Sequence, residues 1–346
     1  MPHFSFNKIV IFGVGLIGGS LALALKRGQP ESRAGTSDAL SPGQIIGVGR
    51  TSASVERALA LGVIDQALGL DDDLALGAAL RDADLVICAA PVAQTEALLR
   101  RMAPWLQGRT VVSDVGSTKT DAVAAAYAAL GSQAWRFVPA HPIAGREQSG
   151  VDAALAHLFV DRNTVLCPLA ENPPEAVERV AAMWQASGAT LFTLSAAQHD
   201  AVFASVSHLP HILAFALLEQ ILRSPDAQLK LDMAGSGFRD FTRIAAASPE
   251  MWRDISMANR VALLEEIDGY RTVLDELRGL IAAGDEAAMS ALFARASAAR
   301  SAWGRGQGAF GAAVGAAGDS TAGSTMYLTA VAEPHPGYKS GDKFSE

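Results

Sequence analysis

The sequence predicts an α/β domain built on a parallel sheet over residues 1–195, an all-helical domain over 196–303, and a Gly/Ala/Ser-rich tail over 304–346. Three observations lead there. From Lys8 to Ser195, short Val/Ile-rich runs alternate with Ala/Leu-rich stretches of helical period, the pattern of strands buried beneath helices. After Ser195 only helical periodicity continues. At 346 residues the chain is too long for a single hydrophobic core.

The strands are read as KIVIFG (8–13), QIIGVG (44–49), LVICAA (85–90), TVVSDV (110–115), RFVPAH (136–141), TVLCPL (164–169) and TLFTLS (190–195). Between them, periodicity and caps predict helices over 16–26, 54–61, 94–102, 118–130 and 174–187. Pro174 suits a helix start, where its missing N–H would be unpaired anyway. Beyond Ser195, helices are expected over 195–222, 228–231, 249–280 and 285–303. Leu263, Ile267, Tyr270, Val273 and Leu274 recur at three- and four-residue steps, and so broad an apolar face calls for a partner surface. A subunit interface, hence an all-α dimerisation domain, is the expectation. The small-residue tail from about Gly304 reads as a flexible segment.

Half the residues are hydrophobic and 18% charged, which excludes a disordered chain. A formal charge of -8 offers no positive field for nucleic acid or an anionic membrane. Cys88 and Cys167 lie in apolar strand-like runs, so neither a disulfide framework nor a zinc site is expected. Ile9–Leu25 is uncharged, follows Lys8 and contains Ala22-Leu23-Ala24, which resembles a cleavable leader. Glycines 13, 15, 18 and 19 interrupt that run at turn spacing. With no later segment a better membrane candidate, a soluble, cytoplasmic protein is expected.

The first strand runs into GVGLIGGS, which places Gly13-x-Gly15-x-x-Gly18 at a strand-to-helix junction. Gly13 permits the tight turn, Gly15 admits a pyrophosphate to the backbone N–H groups, and Gly18 lets the helix pack closely on the strand. Leu16 and Ile17 open the helix whose N-terminus faces the phosphates. The α/β half is therefore expected to be a Rossmann-type dinucleotide-binding domain. At the tip of the second strand, Arg50, Thr51 and Ser52 stand where an acidic residue would bind a ribose 2′-hydroxyl. Either Arg50 and the two hydroxyls hold the 2′-phosphate of NADP, or Arg50 is solvated and NAD binds through the backbone; the expectation leans to NADP. The polar stretch over 28–43 lengthens this interval and is expected to be a surface loop.

Three clusters follow. SDVGSTKTD (113–121) brings Ser117, Thr118 and Lys119 to the carboxyl end of the sheet, where ligands bind in open α/β folds. Ser117 or Thr118 also suits the next helix as a cap, with Asp121 completing a capping box. HPIAGREQSG (141–150) puts His141 on a loop at the same edge, suited to proton transfer near neutral pH. SHLPH (207–211) and GSGFRDFTRIAAASPEMWRD (235–254) form the third cluster, with Arg239 and Arg243 one turn apart around Asp240. They are either a fork for a carboxylate or a structural Arg–Asp pairing. His208 and His211 lack a third metal ligand at a recognised spacing, so no metal is expected.

GVGLIGGSLA, DVGSTK, HPIAGREQSGV, His199-Asp200, SHLPH and GFRDFTRIAAASPEMWRDI, in this order, resemble the prephenate/arogenate dehydrogenase family of tyrosine biosynthesis over about residues 8–303. The resemblance implies that His141 is the catalytic histidine acting on the ring 4-hydroxyl, with Ser117 contacting that hydroxyl and the nicotinamide. It implies that Arg243 pairs with a substrate carboxylate, that His208 and Trp252 line the site, and that Glu147 and Asp240 contribute to an orienting or gating ion pair. Lys119 is implied as a supporting partner, and the helical half as the homodimer interface.

The implied reaction is oxidative decarboxylation of prephenate to 4-hydroxyphenylpyruvate with hydride transfer to NAD(P)+. Arogenate, or both compounds, is the alternative substrate. The interval before the second strand is longer than the family's, and Arg50 replaces the acidic residue of NAD-preferring members. A monofunctional enzyme is expected. A β-hydroxyacid dehydrogenase is disfavoured because it needs a catalytic lysine in its helical half, and Lys230 is the only lysine between 196 and 305. A non-catalytic nucleotide-sensing dimer would have no use for His141, Ser117 and Arg243 together.

Overall fold

The computed structural model describes residues 6–27 and 42–304. The expectations for the 28–43 insertion, apart from its last two residues, and for the tail lie outside the described residues. Two compact units result, one running to Arg260 and the other beginning at Val261.

The first unit is organised on a six-stranded parallel sheet in the order β3-β2-β1-β4-β5-β6. Its strands are β1 (Lys8–Phe12), β2 (Gln44–Gly49), β3 (Gln66–Gly69), β4 (Leu85–Cys88), β5 (Val111–Asp114) and β6 (Phe137–Val138). The helices α1 (Leu16–Arg27), α2 (Ser52–Ala60), α3 (Asp73–Arg81), α4 (Thr95–Met102) and α5 (Thr120–Leu130) connect them. The run Ile9–Leu25 is therefore a central strand and its following helix, and Ile9, Ile11, Leu21 and Leu25 are buried in one core.

Two elements of this half escape the sequence reading. β3 is an edge strand, QALG, too short and too weakly apolar to show a period. α3 carries Gly77, which lowers helical propensity, yet a Cβ there would lie only 2.7 Å from the Trp105 ring, so close packing requires the glycine. Asp72 caps this helix by accepting from the Ala75 N–H at 3.0 Å.

The expected strand over 136–141 is broken in two. Pro139 has no N–H for a ladder, and beyond it Ala140 donates instead to the Asp114 carboxylate at 3.0 Å. The chain thereby leaves the parallel sheet and enters a second, three-stranded one. There β7 (Ala140–Pro142) runs antiparallel to β8 (Asn163–Leu166), which pairs in parallel with β9 (Thr190–Thr193). Helix α6 (Pro174–Ala186) precedes β9, and its Trp184 meets Phe159 edge-on at 5.2 Å in the core.

No strand follows β9 among the described residues. Helix α7 (Ala196–Phe203) passes through a π turn (Ala204–His208) into α8 (Leu209–Leu222), followed by α9 (Ala227–Asp232), α10 (Ser236–Thr242) and α11 (Pro249–Ala258). The π turn has a local cause. Pro210 cannot donate, and its ring would crowd the carbonyl one turn back, so the helix widens ahead of it. Contrary to expectation, Ala196–Leu222 is long and apolar enough to cross a membrane by length and composition. His199, Asp200 and His208 punctuate its apolar run, and these residues tie it to the site described below. The second unit comprises α12 (Arg260–Ala283), from Val261 on, and α13 (Glu286–Gly304).

Candidate active site

The glycine turn at the carboxyl end of β1 has the form that a pyrophosphate requires. Gly13 adopts φ +90°, and a Cβ there would lie 2.4 Å from the Ala89 carbonyl oxygen. A Cβ on Gly18 would lie 2.2 Å from the Gly13 oxygen, whereas one on Gly15 would meet nothing within 4 Å. The open space thus falls before the N-terminus of α1, where Leu16 and Ile17 begin the helix. Arg50, Thr51 and Ser52 are exposed at the tip of β2, and Arg50 makes no ion pair among the described residues. The Thr51 hydroxyl donates to Ser54 Oγ at 3.1 Å.

The carboxyl end of β5 carries a buried polar seam. Asp114 and Lys119 form an ion pair with both side chains essentially inaccessible. Lys119 also donates to the Ala140 carbonyl at 2.8 Å, while Asp114 accepts from the N–H groups of Gly116 and Ala140. One charged pair therefore fixes both the turn that holds half-buried Ser117 and the backbone beside His141.

The local cap expected for α5 is absent. Residue 119 occupies the N-cap position without a side-chain cap bond, and Asp200 from α7 accepts from the N–H groups of Lys119 and Thr120, each at 2.8 Å. A carboxylate at a helix N-terminus satisfies the same donors that Ser117, Thr118 or Asp121 would have taken. This long-range cap joins α7 to the parallel sheet.

His141, on β7, lies within 2.8 Å of His199, Nδ1 to Nε2, and His199 Nδ1 lies 2.8 Å from Asp200 Oδ1. Phe203 packs against both imidazoles, with ring centroids 4.9 and 4.5 Å away. Burial, reinforced by His199, Lys119 and His208, holds His141 well below its ordinary pKa and therefore neutral at pH 7. Burial alone would raise Asp200, but hydrogen bonds from His199, Thr120 and Lys119 outweigh it and hold the carboxylate below its ordinary value.

The π turn delivers His208 to the same region. Its Nδ1 lies 3.0 Å from the Asn259 amide, which also donates to the Asp200 carbonyl at 2.8 Å. Burial lowers the His208 pKa to about 4, with Asp200 opposing and His199 and His211 adding to the shift. Trp252 on α11 stacks on His211 at 3.5 Å, and its indole N–H is buried without a protein acceptor among the described residues. Such a donor is suited to a ligand. Ser248 caps α11 as expected, accepting from Met251 N–H.

Arg243 immediately follows α10 and donates to Glu147 at 2.8 Å; both side chains are more than three-fifths exposed. Asp240 and Arg239 are exposed on α10 and form no ion pair among the described residues. Of the residues expected in the site, the fold gathers His141, Ser117, Lys119, His208 and Trp252, and pairs Glu147 with Arg243. Sequence reasoning missed Asp114, Asn259 and Phe203, and His199-Asp200 entered only as a family signature. Asp114 had a usable signal, a carboxylate ending an otherwise apolar strand.

Residues 39–193 match the prephenate dehydrogenase nucleotide-binding domain, and residues 195–295 match the prephenate dehydrogenase dimerization domain. The chain belongs to the prephenate dehydrogenase family. It is 36% identical to the prephenate dehydrogenase of Bacillus subtilis (strain 168) over 274 residues, covering 79% of this chain and 69% of that one. Its fold resembles the crystal structure of prephenate dehydrogenase from A. aeolicus in complex with hydroxyphenyl propionate and NAD+, with TM-score 0.77, 31% identity, and coverage of 86% and 99% of the two chains. The Synechocystis arogenate dehydrogenase structure is also similar, with TM-score 0.69, 31% identity and coverage of 86% and 99%. The nucleotide-binding match begins after the Gly13–Gly18 turn, so the observed geometry of that turn is independent support for a dinucleotide cradle.

Proposed function

We propose that this chain catalyses the NAD(P)-dependent oxidative decarboxylation of prephenate to 4-hydroxyphenylpyruvate, the tyrosine-forming branch of aromatic amino acid synthesis. The observation that carries the reading is a half-buried His141, bonded to His199 and set beside the Asp114–Lys119 seam, in a chain of this family. His141 is the base for the ring 4-hydroxyl, and Ser117 orients that hydroxyl. The bound nicotinamide supplies the hydride acceptor for substrate C4. His141 takes the hydroxyl proton as the C4–O bond becomes a carbonyl. The bond from the ring to its carboxylate then breaks, and its electron pair makes the ring aromatic. His141 returns the proton to the phenolate oxygen, so no net proton is consumed. Arg243 exchanges Glu147 for a substrate carboxylate, and Trp252 and His208 line the substrate pocket with Asp240 near its mouth. Lys119, fully buried, acts by holding Asp114 and Ala140 in place.

Similarity to an arogenate dehydrogenase of the same identity supports arogenate as the second reading. Arg50, exposed and without an ion pair among the described residues, supports NADP over NAD. A cytoplasmic homodimer belongs to the same reading. The dimerization-domain match and the exposed Val273, Leu274 and Ile281 on α12 support the dimer, and Ile9–Leu25 is built into the sheet and α1.

The test is turnover of prephenate and arogenate, each with NAD and NADP; an intact protein that reduces neither cofactor would overturn the enzyme reading. His141→Asn is expected to lose roughly 10²–10⁴-fold in kcat while still binding substrate, the range a general base contributes. Arg50→Ala is expected to raise the KM for NADP much more than for NAD; equal changes would remove Arg50 from phosphate recognition.

A further inference from the structure

The dyad His199–Asp200 is left without a task by the reaction above, yet it is bonded directly to its base. A carboxylate can only accept, so the 2.8 Å contact requires His199 Nδ1 to carry the hydrogen. Neutral His199 then presents a lone pair at Nε2. The 2.8 Å contact to His141 therefore requires His141 Nδ1 to donate, which leaves the lone pair of His141 on Nε2. Asp200 is itself held by the N–H groups of Lys119 and Thr120, so the chain of bonds begins at the N-terminus of α5. Phe203 fixes the ring planes, lying against both imidazoles.

We propose that His199 is a positioning residue: with Asp200 it locks His141 in the tautomer whose Nε2 is free to take the substrate proton. The lock has a directional consequence. The helix-capping carboxylate, 81 residues from Lys119 in sequence, decides which nitrogen of His141 is the base. The same bonds stabilise the imidazolium formed when His141 accepts the proton, because its Nδ1–H already points at an acceptor. The titratable groups facing His141 are His199 from α7, Lys119 from the turn before α5 and His208 from the π turn, with Asp200 bonded to His199 behind it. Among them only His199 is bonded to the His141 ring among the described residues.

This inference rests on His141 being the base of the proposed reaction, but its first readout does not need turnover. Nitrogen-15 NMR of histidine-labelled full-length protein should show His141 with its hydrogen on Nδ1 and Nε2 unprotonated at pH 7.5. The opposite tautomer overturns the lock. In His199→Phe the His141 signals should move to a mixture of tautomers. With prephenate and the better cofactor, kcat should fall about tenfold to a hundredfold, with KM changing less than about threefold, a smaller loss than removal of the base itself. His199→Gln can still accept from His141 and donate to Asp200, so it should recover most of the kcat lost in the Phe variant. A folded His199→Phe with wild-type kcat and a single tautomer overturns the proposal, as does a Gln variant no better than Phe. Should the Phe variant not fold, the wild-type spectrum and the Gln variant carry the test. Absence of turnover in wild type with the expected tautomer present would sink the proposed reaction and leave the lock standing.

Discussion

Lys119–Asp114 joins residues five positions apart and Arg243–Glu147 joins residues 96 apart, and the surroundings of the two ion pairs differ completely. The first is inaccessible and satisfied on every side by backbone groups of Gly116 and Ala140. The second is a single exposed contact between a loop residue and the segment after α10. Burial makes the first pair costly to break and useless as a direct ligand, because neither charge can leave the other without an unpaired ion in the interior. Exposure makes the second nearly neutral in stability and therefore free to change partners. The buried pair is part of the framework, and the exposed pair is open to exchange.

The contrast is sharpest for the seam. Lys119→Met is expected to destabilise the fold by about 3–5 kcal/mol, because it leaves Asp114 buried and unpaired, as read from urea unfolding. A loss below about 1 kcal/mol would show the two pairs to be equivalent and break the comparison.

A smaller effect is expected from pH. The folded His208 pKa, about 4, lies below the ordinary value of 6.5, so between those values the unfolded chain binds the proton more readily. Stability should be complete above pH 6.5 and fall on acidification through that window, by about 2 kcal/mol between pH 7 and pH 5. His199 and His211 are lowered by burial as well and act in the same direction. His208→Gln should flatten the dependence; an unchanged slope in urea midpoints would assign it elsewhere.

The smallest effect on stability belongs to the rim. Arg243→Ala is expected to change the unfolding free energy by less than about 1 kcal/mol while raising the substrate KM about tenfold to a hundredfold. Equal effects on stability and KM would mean that Arg243 is part of the framework.

Much of the fold was legible because its signals are local. Alternating buried strands and amphipathic helices announce a parallel sheet, and Gly13, Gly15 and Gly18 announce the turn. The elements that stayed hidden, β3, α3 and α10, are short; α3 and α10 contain glycines, and the one in α3, Gly77, is set by its packing against Trp105. His141, Ser117 and Arg243 could be selected by residue type and position at the ends of elements. Asp200 could not be recognised as the cap of α5, since every local rule offered Ser117, Thr118 and Asp121 first. Asn259, bridging the Asp200 carbonyl and His208, sits at the end of a helix where nothing nearby distinguishes it from a surface residue.

By itself the sequence determined the order of the layers, the glycine cradle and the family to which the chain belongs. Those properties depend on periodicity, backbone freedom and motif order, all written within a few neighbouring residues. Only the tertiary structure decided that Pro139 divides one apparent strand between two sheets, that a carboxylate from α7 caps α5, and that two histidines share a hydrogen bond across 58 positions. Hydrogen bonds and charge pairing act through space, and burial determines which of several chemically equivalent partners each donor must take.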